Sequence, residues 1–354
     1  MSNLRSRRKK EHLILAVQGS RCSFTNLLDD IMLPHNCLTE INPGQVDLSS
    51  SLCGYGTALP IYINAITGGA LLVEHVNREL AMLAARHRIP MAVGSQMAGL
   101  RTRSLGFTYR VTRKYNPEGL LMANLSATAS PRQAQRAVEM IEAQILQLHL
   151  NPAQELIMPE GDMIQPGLLE NIANICASVP IPVMVKEVGF GIGANEARLL
   201  TKAGVKAVDV SGTGGTDFAC IEGQRNRTKW WKPFANWGLP TPLAVAEVWA
   251  KVPGLEVLAS GGVDDGVRAL KCLGLGASGV GIAGGLLRQL YKSGREGANQ
   301  YLTDYIRQIR TGMALMGART GSELRGKPLL ITGRLRELLM QRDITPEQYA
   351  LRGE

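Results

Sequence analysis

The chain has 354 residues, a formal net charge of +9, 45% hydrophobic residues, 5% aromatic residues and 39 glycines. That apolar content excludes wholesale disorder, and glycine exceeds its usual share of about 7% without a collagen period. No apolar run approaches the ~18 residues of a membrane helix, and the five apolar residues at 13–17 are too few for a secretory signal, so a cytoplasmic chain with no membrane partner is expected.

In chain order, residues 1–59 are an extension rich in turn formers. Short apolar runs then recur: IYINA at 61–65, MAVGS at 91–95, LMANL at 121–125, ILQLH at 145–149, VMVKE at 183–187, AVDVS at 207–211, EVLAS at 256–260 and GVGIA at 279–283. Each is nearly continuous in apolar character and bounded by glycine or proline, as a strand buried on both faces should be. Their starts lie 23 to 49 residues apart, the span of βα units. Helical patterns fall between them, over 72–87, after the Ser130 N-cap and Pro131, and over 168–177, 194–203, 242–251 and 264–273. Gly204 and Gly274 read as helix terminators.

Eight alternations predict an α/β fold, a (β/α)8 TIM barrel over 60–320, with a C-terminal helical tail over 321–354. An open doubly wound sheet would carry a GxGxxG turn after its first strand, where this chain has AITGG at 65–69. The connection over 213–239 is far longer than an ordinary βα loop and holds Trp230, Trp231 and Trp237. It reads as a lid or binding loop, or as an oligomer contact or disordered insertion.

The positive charge is clustered. The windows 1–10, 101–114 and 225–232 hold 14 cations and no acid, leaving 25 basic against 30 acidic residues elsewhere. Such islands suggest a local anion site, or solvated loops, rather than a nucleic-acid surface. The six cysteines show no CxxC pair and the histidines no HExxH, so ordinary thiols and no zinc are expected.

Barrel chemistry sits at the C-terminal strand ends. Glycine pairs follow the seventh and eighth runs, where backbone N–H groups at helix starts commonly bind phosphate. Thr67, Ser95 and Asn124 are small polar groups suited to the edge of a flat ring, or to loop capping. Lys186 is the single lysine in the strand runs. It could form a Schiff base, stabilise an anionic ring or snorkel at the rim. After the fourth run, His149 and Asn151 share a face, and Gln154 and Glu155 follow. Glu155 suits a hard cation beside a phosphate, or a helix first turn.

These residues resemble a known family. The motifs are Arg8-Lys9-x-x-His12, AITGG at 65–69, VGSQ at 93–96, ANL at 123–125, QLHLNPAQE at 147–155, PEGD at 159–162, VKEVGFG at 185–191, SGTGGT at 211–216, ASGGV at 259–263 and GIAG at 281–284. In this order and at these strands, the chain resembles the type 2, FMN-dependent isopentenyl-diphosphate delta-isomerases from Arg8 to about Ala318. The resemblance implies conversion of isopentenyl diphosphate to dimethylallyl diphosphate with reduced FMN, Mg2+ and NADPH as reductant, and a homo-oligomer such as a tetramer or octamer. Arg8, Lys9 and His12, from an extension contributing to the active site, would grip the diphosphate. Gln154 would contact substrate, with His149 and Asn151 beside it as catalytic candidates, and Glu155 would hold Mg2+. FMN would be bound by Ala65, Ile66, Thr67, Ser95, Asn124, Lys186, Ser211, Thr216, Gly261, Gly262, Ala283 and Gly284. The flavin would exchange protons with the substrate without net redox change. Ser126-Ala127-Thr128 departs from the glycine common after ANL.

Three alternatives remain open at this level. An FMN-dependent α-hydroxy-acid oxidase would want a His-Gly-Gly-Arg pair after a late strand, where this chain has SGTGGT and no histidine after His149. A Schiff-base aldolase would use Lys186. A nucleic-acid binder would use the basic islands, but the aromatic-poor strands offer no stacking platform.

Overall fold

Eight short parallel strands close on themselves in the computed structural model, which describes residues 26–70, 73–161, 166–226 and 229–353 together with Glu11, Ile14 and Leu15. They are β1 (Ile61–Ile63), β2 (Met91–Ala92), β3 (Leu121–Ser126), β4 (Ile145–His149), β5 (Val183–Lys186), β6 (Ala207–Asp209), β7 (Glu256–Ala259) and β8 (Gly279–Ile282). Closure runs through Val280 beside Ile61, Gly281 beside Tyr62 and Ile282 beside Ile63. Each of the eight apolar runs is thus a barrel strand, and the open sheet is excluded.

The period of two along each strand sorts its residues between two environments. Outward residues such as Ile61, Leu121, Leu146, Val185, Val208 and Val280 join the large core between sheet and helices. Inward residues Tyr62, Ala92, Met122, Ile145, Met184, Ala207 and Leu258 form a separate apolar layer with Leu52. Leu52 comes from the hairpin of Ser50–Leu52 and Tyr55–Thr57, whose Cys53 N–H donates to Glu256 at the start of β7, so the extension plugs the N-terminal end of the barrel. Two residues further along the strands the interior turns polar, with Asn64, Asn124, Gln147, Lys186, Asp209 and Ser260 all buried.

Around the barrel lie α1 (Glu74–His87), α2 (Phe107–Tyr115), α3 (Pro131–Ile141), α4 (Leu168–Ser178), α5 (Ala194–Lys202), α6 (Thr241–Lys251), α7 (Gly266–Leu275) and α8 (Gly284–Leu315). Ser130 caps α3 in a reciprocal box with Gln133, as the Ser-Pro signal predicts. The tail carries three further short helices, Gly321–Arg325, Gly333–Gln341 and Glu347–Ala350, and a two-residue strand, Leu330–Ile331, that pairs antiparallel with Ile31–Met32.

Three sequence expectations need correction. Gly204 does stand at a positive φ after α5, but Gly274 lies inside α7, and the helix ends at Gly276, φ +125°. Gly274 instead lets Leu329 pack close, within 3.1 Å of where its Cβ would stand. The long connection after β6 is not structureless. It contains a helix, Phe218–Asn226, because Ala219, Cys220 and Trp231 bury with Ile157 and Phe190 in a cluster of their own. Cys37, Cys53, Cys176 and Cys272 are free thiols, but Cys220 is disulfide-bonded.

Gly281 is a tight point of the barrel interior: a Cβ there would come within 2.7 Å of the Tyr62 ring and 2.8 Å of the Asn64 amide. Gly281→Ala should therefore lose about 1–3 kcal/mol in urea unfolding. Gly56→Ala, where a Cβ meets nothing within 4 Å, serves as control; equal stability of the two variants would contradict this packing.

Candidate active site

The polar layer forms the floor of the C-terminal mouth, and Asp209 is its hub. Its Oδ2 accepts from Tyr62 Oη (2.7 Å) and Asn64 Nδ2 (2.7 Å). Its Oδ1 accepts from Ser260 Oγ (2.7 Å) and the Ser211 N–H (3.1 Å). Lys186, only 6% exposed, lies in the same layer and donates to the Glu187 carbonyl. Burial pushes the Lys186 pKa down, and the charges of Asp209 and Glu187 pull it back up. The snorkelling reading therefore fails: the ammonium is inside the barrel.

One side of the mouth is a glycine cradle. Gly261 and Gly262 stand at φ +99° and +75°, where a side chain is strained, and their Cβ atoms would meet Gly212 O at 2.1 Å and Gly214 O at 2.3 Å. Thr241 Oγ1 stitches this loop by donating to Gly261 O (2.7 Å). Ser211 adopts φ +41° despite its side chain. Thr216 Oγ1 lies 3.8 Å from where a Gly284 Cβ would stand, so the loops after β6 and β8 meet. The helix α8 opens at Gly284 with Ala283 as its N-cap residue, directing N–H groups into the mouth. Asn26 ties the extension to this cradle through Nδ2 to Gly262 O (2.7 Å).

The opposite side is built by β4 and the turn after it. Asn124 Oδ1 meets His149 Nδ1 at 3.0 Å. Asn151 Nδ2 donates to Glu155 Oε1 (2.8 Å) and Gln154 Oε1 (3.2 Å), and Gln154 Nε2 donates to Glu222 Oε1 (3.0 Å). Pro152 starts the short helix Pro152–Ile157, which places Glu155 in its first turn. Glu222 is fully buried and bonded to Arg225 Nε at 2.7 Å. Arg225 in turn pairs with Glu160 at 2.5 Å and Glu11 at 3.7 Å.

The structure therefore gathers His149, Asn151, Gln154 and Glu155 on one side, and Ser211, Thr216, Gly261, Gly262, Ala283 and Gly284 on the other. Ala65 and Ile66 are half-buried after β1. Thr67 turns its hydroxyl to Asn77 on α1 (2.9 Å), and the Ser95 carbonyl accepts from Tyr109 (2.6 Å). Arg8, Lys9 and His12 lie outside the described residues. The site residues missed from sequence are Asn26, Asn64, Gln147, Asp209 and Glu222. Asn64, Gln147 and Asp209 each carried one signal: a polar residue two places beyond an inward apolar one. Glu222, within the long insertion, carried none.

The donor set fits a phosphate-bearing flat cofactor: a glycine cradle closed to Cβ atoms, a helix start and a buried cation. For a cation the fit is narrower. No cluster of three metal-ligating side chains occurs among the described residues, so Glu155 would offer one carboxylate, with phosphate oxygens and water completing the shell as Mg2+ sites often require.

Residues 95–330 match the family model of the FMN-dependent dehydrogenases. The chain is 42% identical to an isopentenyl-diphosphate delta-isomerase of Symbiobacterium thermophilum, over 99% of each chain, and to one of Bacillus pumilus, over 98% of each. Among solved structures it superposes on a mandelate oxidase bound to (S)-mandelic acid with a TM-score of 0.66, at 17% identity, covering 91% of this chain and 94% of that one. Another mandelate oxidase superposes at 0.66 over 91% and 95%. At that identity the likeness speaks for the barrel alone.

Glu187, between the cradle and the insertion, supplies a pH test. Its Oε2 accepts from the N–H groups of Val188, Gly189 and Phe190 at 2.5–2.7 Å, yet burial raises its pKa from the ordinary 4.5 to about 7. The folded state keeps a proton that the unfolded chain releases, so this group's contribution to stability falls as pH rises from 4.5 to about 7. Glu187→Gln should remove that slope, gaining on wild type by at most about 3 kcal/mol between pH 5 and 7.5 in urea unfolding. Parallel pH profiles would contradict it.

Near-full-length identity to the curated isomerases, an FMN-dependent domain and a barrel mouth that fits the cofactor converge: the chain is an isomerase belonging to the FMN-dependent isopentenyl-diphosphate delta-isomerase family.

Proposed function

We propose that the chain converts isopentenyl diphosphate to dimethylallyl diphosphate in the cytoplasm as a homo-oligomer, with reduced FMN and Mg2+, NADPH serving only to reduce the flavin. The observation that carries this reading is the pairing of Gln154 with buried Glu222 beside Glu155, facing a glycine cradle across one mouth. A hydroxy-acid oxidase would need a histidine base after a late strand, and here that position is SGTGGT at 211–216.

The isomerisation adds a proton to a terminal carbon and removes one from its neighbour's neighbour, so the site needs an anion grip, a dry face and exact placement of the alkene. Bound reduced FMN would supply the dry, electron-rich face and exchangeable protons. Glu155, oriented by Asn151, would hold the cation on the diphosphate. Gln154, fixed from both ends by Asn151 and Glu222, would position the hydrocarbon, since an amide is a poor acid or base. Arg8, Lys9 and His12 would close on the diphosphate, as several cations suit a trianion. Lys186 would compensate charge on the flavin ring. For the Schiff-base alternative, Lys186 Nζ is buried and already donates to the Glu187 carbonyl, a bond that an imine nitrogen without its protons would lose.

An anaerobic assay with FMN, NADPH and Mg2+, omitting each in turn, tests this reading. Product should vanish without FMN or Mg2+, and dithionite should replace NADPH. Glu155→Gln should lower kcat by about 10²–10³-fold, the range for deleting one charge-stabilising group, and raise the Mg2+ concentration needed. Near-normal turnover would remove Glu155 from the metal, and FMN-independent product would overturn the assignment.

A further inference from the structure

Inside the barrel, four side-chain hydrogen bonds run in series from Asp209 on β6 to His149 on β4. Asn64 Nδ2 donates to Asp209 Oδ2 at 2.7 Å, Gln147 Nε2 to Asn64 Oδ1 at 3.2 Å, and Asn124 Nδ2 to Gln147 Oε1 at 2.7 Å. The last link joins Asn124 Oδ1 to His149 Nδ1 at 3.0 Å. An amide can be turned end for end, so the direction of such a string has to be set by something that cannot turn. Two groups set it here. Asp209 offers oxygens only, and already collects donors from Tyr62, Ser260 and the Ser211 N–H. The Ala65 N–H, a donor only, points at Asn64 Oδ1 from 2.8 Å.

Reversing Asn64 would set its oxygen against the Asp209 carboxylate and its amino group against the Ala65 N–H. Both repulsions would fall in a layer where Asn64 is 3% exposed and Asp209 and Gln147 not at all. With Asn64 fixed, Gln147 must donate to it, and so accepts from Asn124. Asn124 then presents Oδ1 to the imidazole. An oxygen with its lone pairs toward Nδ1 requires a proton on Nδ1.

We infer that Asp209, through the fixed polarity of Asn64, Gln147 and Asn124, is a positioning residue that holds His149 in the Nδ1–H tautomer. The neutral ring then carries its lone pair on Nε2, and any proton His149 takes up or releases in the mouth passes through Nε2. That last consequence rests on the proposed function; the tautomer itself does not.

The test is nitrogen NMR on the full-length FMN-bound protein labelled at histidine. His149→Gln identifies the resonances among the five histidines. Wild type should show a protonated Nδ1 near neutral pH. Gln147→Met keeps the length of the side chain but cuts the string, and should shift His149 to a mixture or to the Nε2–H form that unconstrained imidazoles favour. Asp209→Asn should do the same where it folds. A wild-type Nε2–H ring, or an Nδ1–H ring unchanged in Gln147→Met, would overturn the inference whether or not the protein isomerises the diphosphate.

Discussion

A carboxylate buried in the middle of a barrel constrains everything around it. Asp209 has no exposure to solvent, and an isolated buried charge is too costly to persist. Its neighbours answer that cost from three directions. Tyr62 and Asn64 reach across from β1, Ser260 from β7, and the Ser211 N–H folds back from the residue two places on. The last contact accompanies the left-handed Ser211, a conformation rare for a residue with a side chain. Lys186 supplies the opposite charge. The site loops therefore start from a floor whose geometry is set by electrostatics rather than by packing alone, and this floor sits on an apolar layer that keeps water out from below.

The charge distribution takes on a different meaning once the contacts are known. Arg113, in the second basic island, is a knot between elements. Its guanidinium donates to the carbonyls of Pro117 (2.7 Å), Gly119 (2.9 Å) and Glu142 (2.8 Å), joining α2 to the C-terminal end of α3 and the start of β3. Arg225, in the third island, is held by Glu222, Glu160 and Glu11. Through Glu222 it is one bond from Gln154. These two cations answer the chain's own oxygens.

The barrel was legible in the sequence because strands buried on both faces are written as apolar runs, and their glycine and proline boundaries survive in the fold. The cradle was legible too, since Gly261 and Gly262 have no substitute where the loops after β6 and β7 touch. The polar floor was not. Asn64, Gln147 and Asp209 sit singly inside apolar runs, and a lone polar residue there is invisible unless all eight strands are brought into register. The Phe218–Asn226 helix was hidden for another reason: its burial depends on Ile157 and Phe190, which are remote in sequence and become neighbours only when the barrel closes. Gly274 misled because packing against Leu329, rather than a turn, demands the small residue.

The two sides of the mouth are built from different kinds of group. The loops after β6, β7 and β8 meet with backbone against backbone and leave little scope for side-chain chemistry. The side chains that face this cradle reach it from elsewhere. Here these come from the end of β4 and from the insertion after β6, which delivers Glu222 against Gln154. Because Glu222 reaches the mouth on an inserted helix anchored by Arg225, the reactive side of the site can change by exchanging that insertion while the cradle stays as it is. Side-chain chemistry at this mouth is therefore concentrated in the turn after β4 and in the insertion that carries Glu222.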